Sequence, residues 1–359
     1  MNILVIGGSN SLLKNGYVTH LAQALPSARI HQLSVGATTT LAAIGRLFDT
    51  AGQQQPDVIL YEYSINDAGH FAWRPDGGHS WKLAFHLLVK AAAQLYPNAV
   101  LVPLVFAMQG AASLSVRDPF HALQVETFSA LNLPFIDVRS WLGEFFVSDP
   151  PAWLYGDVAH YSTPYATAMI GSEVARRLMA QDRQAETLAV TWQRMQHLDP
   201  HGALEMFHVP AASLFQFANG PVELGQDGNR LMQLSFLRMH AGSRLAMQTE
   251  MFPLVLYLKS DAGHGSVRVS VDSECARGSV VAGTRHADTD SCRFICSNLP
   301  LPLLFGTTLT GPFGPAAFEL SVEEGALPST ANFDCFGQGA AHSGQYFDLC
   351  AILFVAHVS

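Results

Sequence analysis

Four separated points of this 359-residue chain carry the residue types needed to cleave an ester: a serine, two sources of hydrogen-bond donors, and an Asp-His pair. Ser9 follows Ile3-Leu4-Val5-Ile6-Gly7-Gly8, an apolar strand that runs into two glycines. The glycines offer φ freedom and close backbone approach, so a serine hydroxyl can stand exposed on a tight strand-to-helix turn. Taken alone, this turn reads equally as an ordinary strand end or as a phosphate cradle. Further along, Gly36 follows Ser34-Val35, Asn66 follows Tyr63-Ser64-Ile65, and Asp157 and His160 share the stretch Gly156-Asp157-Val158-Ala159-His160.

An unactivated serine is a weak nucleophile. It needs an imidazole within hydrogen-bond reach and a third group that fixes the ring's tautomer. His160 and Asp157 offer both from one loop. When an acyl carbonyl becomes tetrahedral, charge moves to its oxygen, and preorganised donors there contribute strongly. The Ser9 and Gly36 N–H groups and the Asn66 amide supply three. Ser11 is a rival serine, and Ser9 is preferred because it lies closer to the strand end.

The elements that must position these groups follow from hydrophobic pattern. Strand signals at residues 3–6, 29–35, 57–63, 99–106 and 134–138 alternate with helical periodicity at 17–25, 40–51, 80–95 and 120–131. Such alternation makes right-handed crossovers and a parallel sheet covered on both faces, with ligands bound at the carboxyl ends of the strands. A further helix is expected from Thr163-Pro164 to about Gln181, with Thr163 as cap and Pro164 in the first turn. Another is expected over 184–198, stopped by Asp199-Pro200-His201-Gly202. Beyond it the texture changes to short alternating segments, at 231–238, 254–259, 266–271, 293–296, 318–322 and 347–358, which predict a β-sandwich-like domain.

The four blocks together resemble the SGNH hydrolases, also called the GDSL family, over about residues 1–182. The resemblance implies Ser9 as nucleophile, His160 as base, Asp157 as its orienting acid, and Ser9, Gly36 and Asn66 as the oxyanion hole. Two positions depart from the family pattern: Gly8 stands where an Asp is usual, and Ser64 where a Gly is usual. The expected architecture is α/β, a flavodoxin-like three-layer parallel sheet (the SGNH hydrolase fold), with a C-terminal β-sandwich-like domain. The expected boundaries are a catalytic domain at 1–182, a helical linker at 183–200 and a β-rich accessory domain at 201–359. The resemblance implies removal of a small acyl group, such as acetyl, from a hydroxyl of a carbohydrate or other polar metabolite. Acyl transfer to a sugar hydroxyl, and a non-catalytic carbohydrate-binding protein on the same fold, remain alternatives.

Bulk properties narrow the partners. Acidic residues exceed basic ones by 29 to 20, the formal net charge is −9, and there is no Lys/Arg-rich run. Nucleic acid and anionic membrane surfaces are therefore not expected partners. The N-terminus has no basic region ahead of its apolar run, so a cytoplasmic chain without a membrane span is expected. No cofactor and no metal is expected. The five cysteines, Cys275, Cys292, Cys296, Cys335 and Cys350, read as reduced thiols, and Cys292 and Cys296 read as small buried hydrophobes rather than as a zinc site with His286. Glu62, inside an apolar strand, reads as a buried, hydrogen-bonded acid. Asp67 and His70 are expected to line the pocket near Asn66, and Phe71, Trp73 and Trp81 to form a substrate wall or core. The remaining histidines of the first half read as surface or capping residues.

Overall fold

The computed structural model describes residues 1–109, 118–146, 151–180, 185–198, 204–229, 232–261, 263–279, 294–309, 313–325 and 345–357. Two compact units divide the chain, Met1–Gly202 and Ala203–Ser359. Among the described residues no helix is long and apolar enough to cross a membrane.

The first unit is built on a five-stranded parallel sheet. Its strands are β1 Asn2–Gly7, β2 Arg29–Gln32, β3 Val58–Glu62, β4 Val100–Val105 and β5 Ile136–Asp137, in the order β2-β1-β3-β4-β5. Among the described residues eight helices accompany it: α1 Tyr17–Ala24, α2 Thr40–Asp49, α3 Ser64–Phe71, α4 Gly77–Leu95, α5 Pro119–Ala130, α6 Val138–Phe145, α7 Tyr165–Ala180 and α8 Leu188–Leu198. Ile3, Leu4, Val5 and Ile6 are all 0% exposed, which is why β1 reads as an unbroken apolar run: both faces of the sheet are covered. On one face, Ile3 and Val5 of β1 share a core with Tyr17 and Leu21 of α1, Leu142 of α6, and Ile170 and Val174 of α7. On the other side of β3, Tyr61 meets Phe85 of α4 and Phe128 of α5, with Trp81 stacked on Phe85.

Several elements differ from the sequence expectation. α3, directly after β3, is not among the expected helices; at eight residues it is too short to display a periodic apolar stripe. The Thr163–Pro164 peptide is cis and α7 begins at Tyr165, so Thr163 is not its cap; the Pro164 carbonyl accepts the Ala168 N–H at 2.8 Å instead. The helix expected over 184–198 is present as α8, and it packs on α4. Leu188 and Met195 are buried, the Leu188 N–H bonds the Ala99 carbonyl, and Lys90 lies over the Trp192 ring. The stop at 199–202 lies outside the described residues.

The second unit holds two antiparallel sheets. Its strands are β6 Leu204–Pro210, β7 Ala218–Asn219, β8 Val222–Gly228, β9 Gln233–His240, β10 Arg244–Thr249, β11 Phe252–Ser260, β12 Ser266–Val271, β13 Glu274–Ser279, β14 Ile295–Pro300, β15 Ala316–Val322 and β16 Tyr346–His357. One sheet runs β13-β12-β15-β10-β7 and the other β14-β11-β16-β9-β8, with β6 also paired to β16. Alternation explains the packing: Val267, Val269 and Val271 of β12 point inward toward Leu237 and Met239 of β9 and Phe347 and Leu349 of β16, one shared core between two sheets. Cys296 is buried as expected; Cys350 is also buried and Cys275 is exposed. Cys292, Cys335 and His286 lie outside the described residues.

Candidate active site

Parallel register brings the first three blocks to one rim. β1 and β3 pair Gly7 with Glu62, and the Gly8 N–H then bonds the Glu62 carbonyl at 2.8 Å. On the other side, the Leu33 N–H bonds the Val5 carbonyl and the Val35 N–H bonds the Gly7 carbonyl, extending the pairing past β2. Gly36 therefore arrives beside Ser9, where a Cβ on Gly36 would lie 3.4 Å from the Ser9 Cβ. Ser9 itself opens a short 3-10 turn, Ser9–Leu12, directly after the strand. As the first residue of that turn it has an N–H with no partner inside the turn.

The glycines ahead of Ser9 serve space rather than φ freedom. Gly8 has φ −84° and ψ −157°, extended backbone open to any residue. A Cβ at Gly8 would fall 2.0 Å from the Asn66 Oδ1, and one at Gly7 would fall 2.4 Å from the Ser11 Oγ and 2.9 Å from the Glu62 carbonyl oxygen. Gly8 is thus where the Asn66 amide closes on the serine turn. Asn66 sits in the first turn of α3, half-buried, rather than in a loop.

Asp157 and His160 lie on a hairpin beyond α6, closed by a bridge between Tyr155 and Tyr161 and by the Gly156 N–H on the His160 carbonyl at 2.8 Å. From beyond β5 in sequence, the hairpin returns to the serine that follows β1. His160 Nε2 is 2.6 Å from the Ser9 Oγ, and His160 Nδ1 is 2.8 Å from both Asp157 carboxylate oxygens. Asp157 Oδ1 also accepts the N–H groups of Ala159 and His160, each at 2.9 Å. Desolvation raises the Asp157 pKa, but those N–H groups and the His160 ring outweigh it and hold the carboxyl below its ordinary range. Asp157 is therefore ionised at neutral pH, and its bond to Nδ1 leaves Nε2 free to accept a proton from Ser9.

Asp67 does not line a pocket. It is fully buried behind Asn66, accepting hydrogen bonds from the Thr40 N–H and Oγ1, the Tyr61 hydroxyl and the Trp81 Nε1. Those donors come from α2, β3 and α4, so Asp67 fixes the helix that carries Asn66. Burial pushes its pKa up to about 6 against the hydrogen bonds. Of the aromatic residues, Phe71 and Trp81 are core, and Trp73 is 62% exposed.

Ser11 is also removed from candidacy. It is buried, its Oγ 2.9 Å from the Tyr17 hydroxyl and donating to Glu62 Oε2 at 2.9 Å. Glu62 is fully buried, its Oε1 has no partner, and desolvation raises its pKa to about 8. This is the hydrogen-bonded acid expected from the sequence. Because the folded pKa exceeds the unfolded one, the native state binds the extra proton, and Glu62's stabilising contribution, complete below about pH 4.5, is lost as pH rises through about 8. Glu62→Gln should therefore flatten the fall in thermal midpoint between pH 5 and about 8.5 relative to wild type. Parallel midpoint curves for the two proteins would disprove this.

Other polar clusters have bland explanations. In the second unit Asp261, His264 and Asp348 have potential ligand atoms within 4.8 Å of one another. Lys259 Nζ already donates to Asp261 at 2.8 Å and Asp348 at 3.0 Å, and Arg238 grips both Asp348 oxygens. Burial would raise the Asp348 pKa, yet the Arg238 hydrogen bonds hold it far below the usual range. A cation there would compete with an ammonium and a guanidinium for the same oxygens, so the group is an ion-pair network. A cavity of about 540 Å³ in the first unit, lined by His79, Lys82, His86, Glu126 and Met195 among others, shares no residue with the serine site.

A parallel sheet in this order, with the serine after β1 and the Asp-His hairpin beyond β5, followed by a two-sheet antiparallel unit, is the SGNH hydrolase fold with an added β-sandwich. No protein-family model and no curated protein matches the sequence. Among solved structures, the chain is similar to a two-domain esterase, CEX, active on acetylated mannans, at 12% identity and TM-score 0.63, covering 100% of this chain and 92% of the other. The same esterase co-crystallised with mannopentaose aligns at 11% identity and TM-score 0.61, covering 100% and 91%. A catalytic mutant of the acetylxylan esterase Axe2 from Geobacillus stearothermophilus aligns at 17% identity and TM-score 0.40, covering 50% and 92%.

Proposed function

We propose that this protein is an SGNH-type serine esterase that removes a small acyl group, such as acetyl, from a carbohydrate hydroxyl. The reading is carried by the continuous chain from the Ser9 Oγ through His160 to Asp157, with bonds of 2.6 and 2.8 Å. In the first step His160 Nε2 takes the hydroxyl proton as the Ser9 Oγ attacks the acyl carbonyl. The Ser9 and Gly36 N–H groups and the Asn66 amide stabilise the oxyanion. Its collapse breaks the bond to the sugar oxygen, which takes the proton from His160 and leaves as the hydroxyl, with an acyl-enzyme at Ser9. Water, deprotonated by His160, then attacks the acyl-enzyme carbonyl; the bond to the Ser9 Oγ breaks, the Oγ takes the proton from His160, and the acid leaves. The acetylated carbohydrate is supported by the whole-length likeness in fold to an esterase active on acetylated mannans, which is an analogy of fold.

The test is release of p-nitrophenol from p-nitrophenyl acetate, followed by release of acetate from acetylated oligosaccharides. Wild type should turn over both, and Ser9→Ala neither. A fluorophosphonate should add to Ser9 alone. An adduct at another residue, or equal rates for Ser9→Ala and wild type, would reject the reading.

A further inference from the structure

We propose that Asn10 is a positioning residue that holds His160 in register with Ser9, an inference that rests on the esterase reading above. Asn10 directly follows the nucleophile and is 2% exposed. Its Nδ2 donates to the Ala159 carbonyl at 2.8 Å, and its Oδ1 accepts the Tyr161 N–H at 3.1 Å. One carboxamide thus closes on the main chain on both sides of His160.

The chemistry of the two contacts selects the side chain. The Ala159 carbonyl needs a donor and the Tyr161 N–H needs an acceptor, and a carboxamide presents one of each. A carboxylate would satisfy Tyr161 but set negative charge against the Ala159 carbonyl, and an apolar side chain would leave both groups buried without partners. Other bonds fasten the hairpin elsewhere. The Tyr161 hydroxyl accepts the Ala107 N–H at 3.0 Å, the Tyr155 hydroxyl donates to the Ala107 carbonyl at 3.0 Å, and the Gln109 N–H bonds the Val158 carbonyl at 3.0 Å. These hold the hairpin at the end of β4. Asn10 holds it at the turn of Ser9, so the nucleophile and its base share a clamp one residue from each.

A misplacement of about 1 Å can cost about 10²-fold in rate, and loss of this clamp frees the base by that order. Asn10→Ala and the near-isosteric Asn10→Asp should each lower kcat on p-nitrophenyl acetate about 10²-fold at unchanged KM, and slow fluorophosphonate labelling of Ser9 equally. The deciding measurement is Asn10→Ala in a His160→Ala background. There it should change the residual rate by less than about twofold, because a residue acting through the base has nothing left to act on. A full loss persisting without His160, or a kcat for both single variants within about twofold of wild type, would overturn the assignment. If Asn10→Ala does not fold, Asn10→Asp carries the same comparison; a chain unfolded by both would overturn it in favour of a purely structural role. Ser9→Ala is the control: retained hydrolysis rejects the esterase reading itself, whereas lost hydrolysis with normal Asn10 variants rejects only the clamp.

Discussion

His160→Ala is expected to lower kcat on p-nitrophenyl acetate by the order of 10⁴–10⁶, as far as Ser9→Ala does, and the double variant is expected to fall no further. The 2.6 Å contact makes the two one device: without the imidazole the hydroxyl keeps its proton, and without the hydroxyl the imidazole has nothing to deprotonate. Asp157→Ala should retain more activity. Its side chain is 56% exposed, so solvent screens the charge it lends to the His160 ring, and the Gly156 N–H bond still holds the hairpin. Steady-state rates of the two single variants and the double variant check this. Losses that multiply in the double variant would mean that Ser9 and His160 act independently.

Asn66→Ala should lower kcat by about 10²–10³, or about 2.7–4 kcal/mol of transition-state stabilisation, with little change in KM. The amide lies against Gly8, at the turn where an oxyanion on a Ser9 adduct would form. Its helix does not depend on it, because the buried Asp67 one residue on is held by Thr40, Tyr61 and Trp81. The thermal midpoint should therefore move much less than kcat. A near-normal kcat with a lowered midpoint would make Asn66 a structural residue and leave the oxyanion to main-chain donors.

The first unit was legible because a parallel sheet turns sequence blocks into neighbours: once strands were placed at residues 3–6, 29–35 and 57–63, their carboxyl ends had to share a rim. The alternating texture of the last third likewise announced two sheets, as β12 shows with its inward valines. What escaped reading depended on contacts that no local pattern encodes. Asn10 after a serine looks like any turn asparagine, and its role appears only when a hairpin far along the chain returns to it. Asp67 looked like a rim residue because Asn66 is one, but α3 turns consecutive side chains in different directions, sending one toward Gly8 and the other into the core. Of the two properties the glycines before Ser9 offer, φ freedom and room for close approach, the turn uses only the room. β8 was missed because its residues are half-buried or exposed along their length, with no alternation to find.

The closeness of Gly8 to Asn66 couples the two positions as units of variation. With the Asn66 side chain as it stands, a Cβ at position 8 would fall 2.0 Å from its Oδ1, so any larger residue there requires the amide to shift. A randomised library selected for activity should therefore favour glycine at position 8 for as long as asparagine stands at 66 in this position.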